Sequence, residues 1–169
     1  MNFKRGPARN AYGKAVAGGF TLIELMVVVA IIAILAAIVI ASLNNAKTKG
    51  GDGGVKSNLR NAISQAEIFY NTNTDAPNTY TGVCTNGVVG GATGIGSFVL
   101  AAAQARGLSS YAIGGPGGNG IATCTESDLG DAWRAEVPLS SVGKMWCVDS
   151  TGVSKENNGS TGFGWACNF

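Results

Sequence analysis

The sequence predicts an α+β fold in which a long N-terminal helix packs on a small antiparallel sheet. Three observations predict it. Residues 25–41 carry no charge and no strongly polar group, as a membrane-spanning helix requires. Residues 55–70 repeat apolar side chains at helical spacing. From residue 132 the apolar period changes to two, which is typical of strands. A chain of 169 residues has room for one compact domain and its appendages.

The composition excludes most classes of enzyme. The chain contains no histidine, which removes the commonest general base, the Ser-His and Cys-His nucleophile pairs and the metal sites that need imidazole. A membrane-anchored enzyme would then need a carboxylate pair or a Ser-Lys arrangement, and no spacing in the sequence indicates either. We therefore expect no enzymatic activity and no catalytic residue.

An apolar run near the N terminus predicts a transmembrane helix over residues 20–46. Between Phe20 and Ala41 the run is interrupted only by Thr21 and Glu24. As a helix, the 22 residues from Phe20 to Ala41 are roughly 33 Å long, which matches the ~30 Å hydrocarbon core of a bilayer. A charged side chain costs on the order of 2.5 to 3.5 kcal/mol at mid-bilayer and by default marks a function with a partner. Glu24 is therefore a candidate functional residue.

Residues 1–19 are predicted to be a basic leader that is removed by cleavage. The leader contains no acidic residue, and a positive flank of this kind stays cytoplasmic. The rest of the chain has eight basic and ten acidic residues, so the net charge of +2 belongs to the leader and does not indicate nucleic-acid binding. The Gly18-Gly19 pair lies before the apolar run, where cleavage keeps the helix on the mature protein.

These residues carry a resemblance to a known family. The run Gly18-Gly19-Phe20-Thr21-Leu22-Ile23-Glu24-Leu25, with the apolar residues that follow to about residue 40, resembles the class III signal of type IV pilins and type II secretion pseudopilins. The resemblance implies a pilin-like fold, cleavage by a prepilin peptidase between Gly19 and Phe20, and N-methylation of the new Phe20 amine. It also implies that Glu24 neutralises this amine on a neighbouring subunit, a pairing that a low dielectric constant favours.

The resemblance further implies a structural, non-enzymatic role as the subunit of a type IV pilus used for adhesion, motility or DNA uptake. A pseudopilin of a type II secretion system is the alternative, and a membrane-anchored extracellular binding or enzymatic domain is a distant one. The implied partners are further copies of the chain, a prepilin peptidase and methyltransferase, and an inner-membrane assembly platform with its ATPase. The implied location is the inner membrane before assembly and an extracellular filament afterwards.

Residues 47–71 are predicted to form an amphipathic second half of the helix. Four glycines within residues 50–54 each cost about 1 kcal/mol in a helix relative to alanine, so they predict a hinge or kink. An apolar stripe follows at helical spacing and predicts a face that lies on a sheet. The stripe consists of Val55, Leu59, Ala62, Ile63, Ala66, Phe69 and Tyr70.

Residues 72–169 are predicted to form a globular region with a long connection, an antiparallel sheet and a C-terminal loop. The connection covers residues 79–130 and is rich in Gly, Thr, Ser and Asn, with a short helix at residues 98–106. The predicted strands are residues 132–139, 144–149 and, near the end, 153–155.

The four cysteines all follow the apolar run, on the oxidising side of the membrane. Their even number and the absence of a Cys-x-x-Cys spacing predict two disulfides. Of three possible pairings we favour Cys84 with Cys124 and Cys147 with Cys167, because each bridge would restrain a glycine-rich loop. The resemblance implies that the second bridge fastens the C-terminal loop to the sheet.

Calcium is the one cofactor that the resemblance raises, because major pseudopilins bind it in a loop near the C-terminal strands. Glu126, Asp128 and Asp131 lie close together in the sequence, as do Asp149 and Ser150. Calcium needs six to eight converging oxygens, and the spacing of carboxylates alone does not supply them. We therefore expect no cofactor, with calcium as a minor alternative.

Overall fold

A computed structural model describes residues 18–162 and 164–167 of the chain. Most of the predicted leader lies outside these residues. The chain divides into two compact units after Ala41. A 51-residue helix, α1 (Leu22–Thr72), supplies residues to both units. The second unit also contains a sheet, and the predicted α+β fold class is confirmed.

A short hairpin, a second helix and a five-stranded sheet follow α1. The elements are β1 (Val88–Val89), β2 (Ala92–Thr93), α2 (Gly96–Ala105), β3 (Tyr111–Ile113), β4 (Ala122–Glu126), β5 (Trp133–Pro138), β6 (Lys144–Asp149) and β7 (Ser154–Asn158). The sheet has the order β3-β4-β5-β6-β7, and neighbouring strands are antiparallel except for the parallel pair β3 and β4. The predicted strands correspond to β5, β6 and β7, whereas the four preceding strands lie in the segment predicted as a connection.

Residues 50–54, where the sequence predicts a hinge or kink, do not interrupt the helix, because α1 is helical throughout this segment. Contact with α2 explains the difference. A Cβ atom on Gly51 would lie 2.7 Å from the carbonyl oxygen of Ala105, and one on Gly54 would lie 3.0 Å from Ala105 Cβ. These two glycines let the helices approach closely, and the packing gained there outweighs their low helix propensity.

The apolar stripe of α1 lies in the core, as predicted. Val55, Leu59 and Phe69 are fully buried, and burying a large apolar side chain contributes about 1.5 to 3 kcal/mol. The same cluster contains side chains from α2, β5 and β6, which are Val99, Ala102, Ala103, Ala135, Val137, Trp146 and Val148. Packing of the helix stripe on one face of the sheet therefore holds the second unit together.

The opposite face of the sheet carries a buried ion pair between Arg134 and Glu136. Both side chains are fully buried, and their charged atoms lie 3.8 Å apart. Glu136 accepts a hydrogen bond from Thr161 N at 2.9 Å, and Arg134 donates one to the Gly162 carbonyl at 2.8 Å. Burial lowers the pKa of Arg134, and Glu136 opposes this effect. The pair therefore fastens the C-terminal segment to the sheet.

Two disulfides link the loops to the sheet. Cys84 is bonded to Cys124 and Cys147 to Cys167, with Cα–Cα distances of 5.5 and 5.8 Å. These are the pairings favoured above. The second bridge lies beside a 2.7 Å hydrogen bond from Cys167 N to the Asp149 carboxylate. The C-terminal segment is thus held by a covalent bond as well as by polar contacts.

Candidate functional site

The two glycines before α1 are not required by packing. Residues 18–21 precede the helix and are not helical, and both Gly18 and Gly19 are exposed. A Cβ atom added to either glycine would meet no other atom within 4 Å. Any requirement for glycine at position 19 therefore comes from another molecule that recognises this peptide.

Thr21 and Glu24 form a capping box at the start of α1. The Glu24 carboxylate accepts hydrogen bonds from Thr21 N at 2.9 Å and from Thr21 Oγ1 at 2.7 Å, both through Oε2. In return, Glu24 N donates to Thr21 Oγ1 at 3.2 Å. This reciprocal arrangement satisfies backbone donors that lack partners in the first turn of a helix. Within the described part of the chain, Glu24 Oε1 accepts no hydrogen bond and can receive a donor from another molecule.

By composition, Thr21 is only an interruption of the apolar run, whereas the structure shows it as a helix cap. The signal was present, because Ser or Thr followed three residues later by Glu or Gln, directly before an apolar run, is the pattern of a capping box. The Glu24 carboxylate, whose burial in a membrane costs free energy, therefore also caps the start of α1.

The apolar side chains of the first unit are exposed. Every large hydrophobic residue from Phe20 to Leu43 is between 47% and 85% exposed. Among the described residues, α1 is the one helix that is long and apolar enough to cross a membrane, by length and composition. An apolar surface of this extent requires lipid or other protein chains around it.

Of the carboxylates considered for calcium, Glu126, Asp131 and Asp149 accept hydrogen bonds within the chain. Glu126 accepts hydrogen bonds from Gly82 N at 2.8 Å and Cys84 N at 3.2 Å, and Asp149 accepts one from Cys167 N at 2.7 Å. Within residues 18–162 and 164–167, no three His, Cys, Asp or Glu side chains are grouped so that they could hold a metal ion. Glu126 is the last residue of β4, and Asp128 and Asp131 lie between β4 and β5. Asp149 is the last residue of β6, and Ser150 follows it.

Comparison with known proteins gives a family match near the N terminus and one curated relative. Residues 15–40 match the family described as "Prokaryotic N-terminal methylation motif". Over 65 residues the chain is 45% identical to the "Type IV wide pilus major component PilA4" of Thermus thermophilus. The match covers 38% of this chain and 47% of the relative, so the chain spans about half the length of the curated relative that it matches. No solved structure gives a significant match. The resemblance drawn from residues 18–40 is confirmed for this part of the chain.

Proposed function

We propose that this chain is the structural subunit of a type IV pilus, processed by a prepilin peptidase and polymerised through its N-terminal helix. The observation that carries the proposal is the coincidence of the methylation motif at residues 15–40 with an apolar helix whose large side chains are exposed. The similarity to a pilus major component supports it. In this function the chain is a building block and performs no catalysis.

Processing begins with cleavage between Gly19 and Phe20, followed by methylation of the new Phe20 amine. The peptide between these residues lies outside the helix and is exposed, as the substrate of a peptidase needs to be. Because Gly19 makes no packing contact, its substitution changes recognition by the peptidase without disturbing the fold. Cleavage leaves the apolar helix on the mature chain.

Within the filament, Glu24 pairs with the Phe20 amine of a neighbouring subunit. Each of these charges is costly alone where the dielectric constant is low, whereas a hydrogen-bonded pair is tolerated. The capping box supports this role, because Thr21 engages Oε2 and leaves Oε1 for the incoming amine within the described chain. Uniform apolar helices can slide along one another, so this polar contact sets the axial register.

Before assembly the chain is a single-pass protein of the inner membrane, and afterwards it is part of an extracellular filament. The motif and the apolar helix fit both locations. The partners are other copies of the chain, the peptidase and methyltransferase, and an inner-membrane platform with its ATPase. From Lys47 onwards there are eight basic and nine acidic residues, which gives the globular region no positive charge excess for nucleic acid.

Substitutions at Gly19 and Glu24 separate processing from assembly. Gly19→Val should block cleavage and abolish filaments, whereas Gly18→Val is the matched control, since a Cβ at position 18 also meets no atom within 4 Å. Glu24→Gln should be cleaved and remain in the membrane without forming filaments. Intact mass and N-terminal sequencing report cleavage and methylation, and electron microscopy of the cell surface reports filaments.

Either half of the proposal can fail separately. A purified chain that still begins at Met1 would refute the processing step. Normal filaments from Glu24→Gln would refute the pairing role while leaving the processing step intact.

The kind of filament needs its own experiment, because type II secretion pseudopilins share the N-terminal segment. A deletion strain should lose surface pili and keep normal secretion of extracellular proteins. Loss of secretion with normal surface pili would assign the chain to a secretion system instead.

A further inference from the structure

A groove between α1 and the C-terminal end of α2 has the chemistry of an anion site. It is a cavity of about 420 Å³, and we call it the basic groove. The side chain of Arg106 is 22% exposed, and Lys47 and Gln104 are exposed at the rim. The basic groove is lined by Lys47, Thr48, Gln104, Ala105, Arg106 and Gly107.

Positive charge exceeds negative charge at the basic groove. Lys47 and Arg106 line it, and the neighbouring acid is Asp52, whose carboxylate lies 3.6 Å from Arg106 Nε. That carboxylate also accepts hydrogen bonds from Ser140 N at 2.8 Å and from Ser140 Oγ. The turn between β5 and β6 therefore uses part of the capacity of the Asp52 carboxylate to accept hydrogen bonds. The Arg106 guanidinium and the Lys47 ammonium line the same cavity, and together they favour the binding of phosphate oxygens.

The position of Lys47 along the chain corresponds to the level of lipid headgroups. No charged residue occurs between Glu24 and Lys47. At 1.5 Å per residue, a hydrocarbon core of ~30 Å takes about twenty helical residues, which ends near Asn44 when the count starts at Leu25, the first residue after the charged Glu24. The polar zone beyond the core is roughly 5 to 7 Å thick, so Lys47 falls within it. Basic side chains at such a position extend towards headgroups.

We propose that the basic groove binds the phosphodiester headgroup of an anionic phospholipid while the chain resides in the membrane. Lys47 and Arg106 supply positive charge, and the Gln104 amide supplies a further donor. A lipid is favoured over free phosphate because Lys47, which lines the groove, is the first charged residue after the apolar run, where the chain leaves the hydrocarbon core. This inference rests on the membrane residence in the proposed function and does not depend on filament formation.

Lipid binding is measured on the full-length chain in a non-ionic detergent. Phosphatidylglycerol is added in steps, and native mass spectrometry counts the lipids retained on each chain. Lys47→Gln should lower the affinity about fivefold, the effect expected for one basic residue at an anionic lipid surface. Lys155→Gln on β7 makes the same change of charge away from the basic groove and should leave the affinity unchanged. Arg106→Gln should lower it as Lys47→Gln does, with near-UV circular dichroism to check the fold.

Three outcomes would overturn the inference. The first is an unchanged affinity in Lys47→Gln, or an equal loss in Lys155→Gln. The second is equal retention of phosphatidylcholine, because it would remove the preference for anionic lipid. The third is Lys47-dependent displacement of the lipid by inorganic phosphate, which would indicate a free-anion site. A chain that forms filaments but shows no Lys47-dependent binding fails this inference alone, whereas absent filaments with Lys47-dependent binding count against the proposed function alone.

Discussion

Alanine substitutions in the glycine run of α1 should change stability in opposite directions, depending on which side of the helix they fall. Gly53→Ala adds a methyl group that meets no other atom within 4 Å. Only helix propensity changes, and the chain should gain about 1 kcal/mol of unfolding free energy. Gly51→Ala places a Cβ atom 2.7 Å from the carbonyl oxygen of Ala105. Real atoms do not approach so closely, so one of the two helices has to move.

The size of the effect follows from two opposing contributions. Overpacking costs about 1 to 3 kcal/mol, and the gain in helix propensity offsets about 1 kcal/mol of it. Gly51→Ala should therefore unfold with about 1 to 3 kcal/mol less free energy than Gly53→Ala. Gly54 provides an internal check, because its added Cβ would lie 3.0 Å from the Ala105 side chain. Ala105→Gly should relieve Gly54→Ala, and it should not relieve Gly51→Ala, whose contact is with the backbone.

Urea unfolding of the full chain in detergent, followed by near-UV circular dichroism, measures these differences. The signal reports the surroundings of Trp133, which is fully buried in the second unit. Gly53→Ala is the matched control, since it makes the same chemical change within the same helical turn. Equal stabilisation by Gly51→Ala and Gly53→Ala would refute the close contact between α1 and α2. Destabilisation by Gly53→Ala would show that the glycine run does not behave as ordinary helix.

Three further predictions concern the cap, the core and the C-terminal segment. Burial and the hydrogen bond to Glu67 raise the pKa of Tyr80 above its ordinary value of 10.0, so the native chain keeps a proton that the unfolded chain loses. The stability lost in Tyr80→Phe, measured by urea unfolding, should be constant below pH 10.0 and shrink as the pH rises above it. If the stability difference between the parent and Tyr80→Phe stayed constant up to high pH, the raised pKa of Tyr80 would be contradicted. Replacing Cys147 and Cys167 together by alanine opens a loop with a sequence separation of 20, which should cost about 3 kcal/mol. Reductant should lower the melting temperature of the parent further than that of this variant. Thr21→Ala removes the capping box and should cost about 1 kcal/mol at the helix start, seen as faster hydrogen exchange at Glu24 N, whereas Thr21→Ser should exchange like the parent.

Elements with a clear local period could be predicted from the sequence. The stripe that includes Val55, Leu59 and Phe69 repeats over four turns, and these three side chains are fully buried. The strand β5 alternates apolar and polar residues, β6 has a short apolar run between Lys144 and Asp149, and both strands differ by at most one residue from the predicted bounds. The strands β1, β2 and β3 have two or three residues each. No period can be recognised in so few residues, so the sequence predicts a connection at these positions.

Two features could not be predicted because they depend on residues far away in the chain. The glycine run has low helix propensity, and the contact that keeps Gly51 helical is made by Ala105 of α2. Arg134 and Glu136 alternate with apolar residues along β5, which is the pattern of a solvent-facing side of a sheet. Both are instead fully buried, and Glu136 accepts a hydrogen bond from Thr161 N, 25 residues further along. The alternation of residues identifies which side of a strand is polar. Whether that side is buried depends on which other segment of the chain covers it.

The proposed assembly gives Glu24 an importance that the apolar side chains around it do not share. Moving the first helical unit from a bilayer into a bundle of identical helices keeps its side chains in an apolar environment, so their transfer contributes little driving force. The surroundings of the Glu24 carboxylate and the Phe20 amine change more. Near the membrane surface each of these two groups is accessible to water, whereas in the bundle they contact each other. Breaking such a pair leaves an uncompensated charge at a cost of about 3 to 5 kcal/mol. Because this cost recurs at every subunit contact, Glu24→Gln should remove filaments entirely rather than shorten them in proportion.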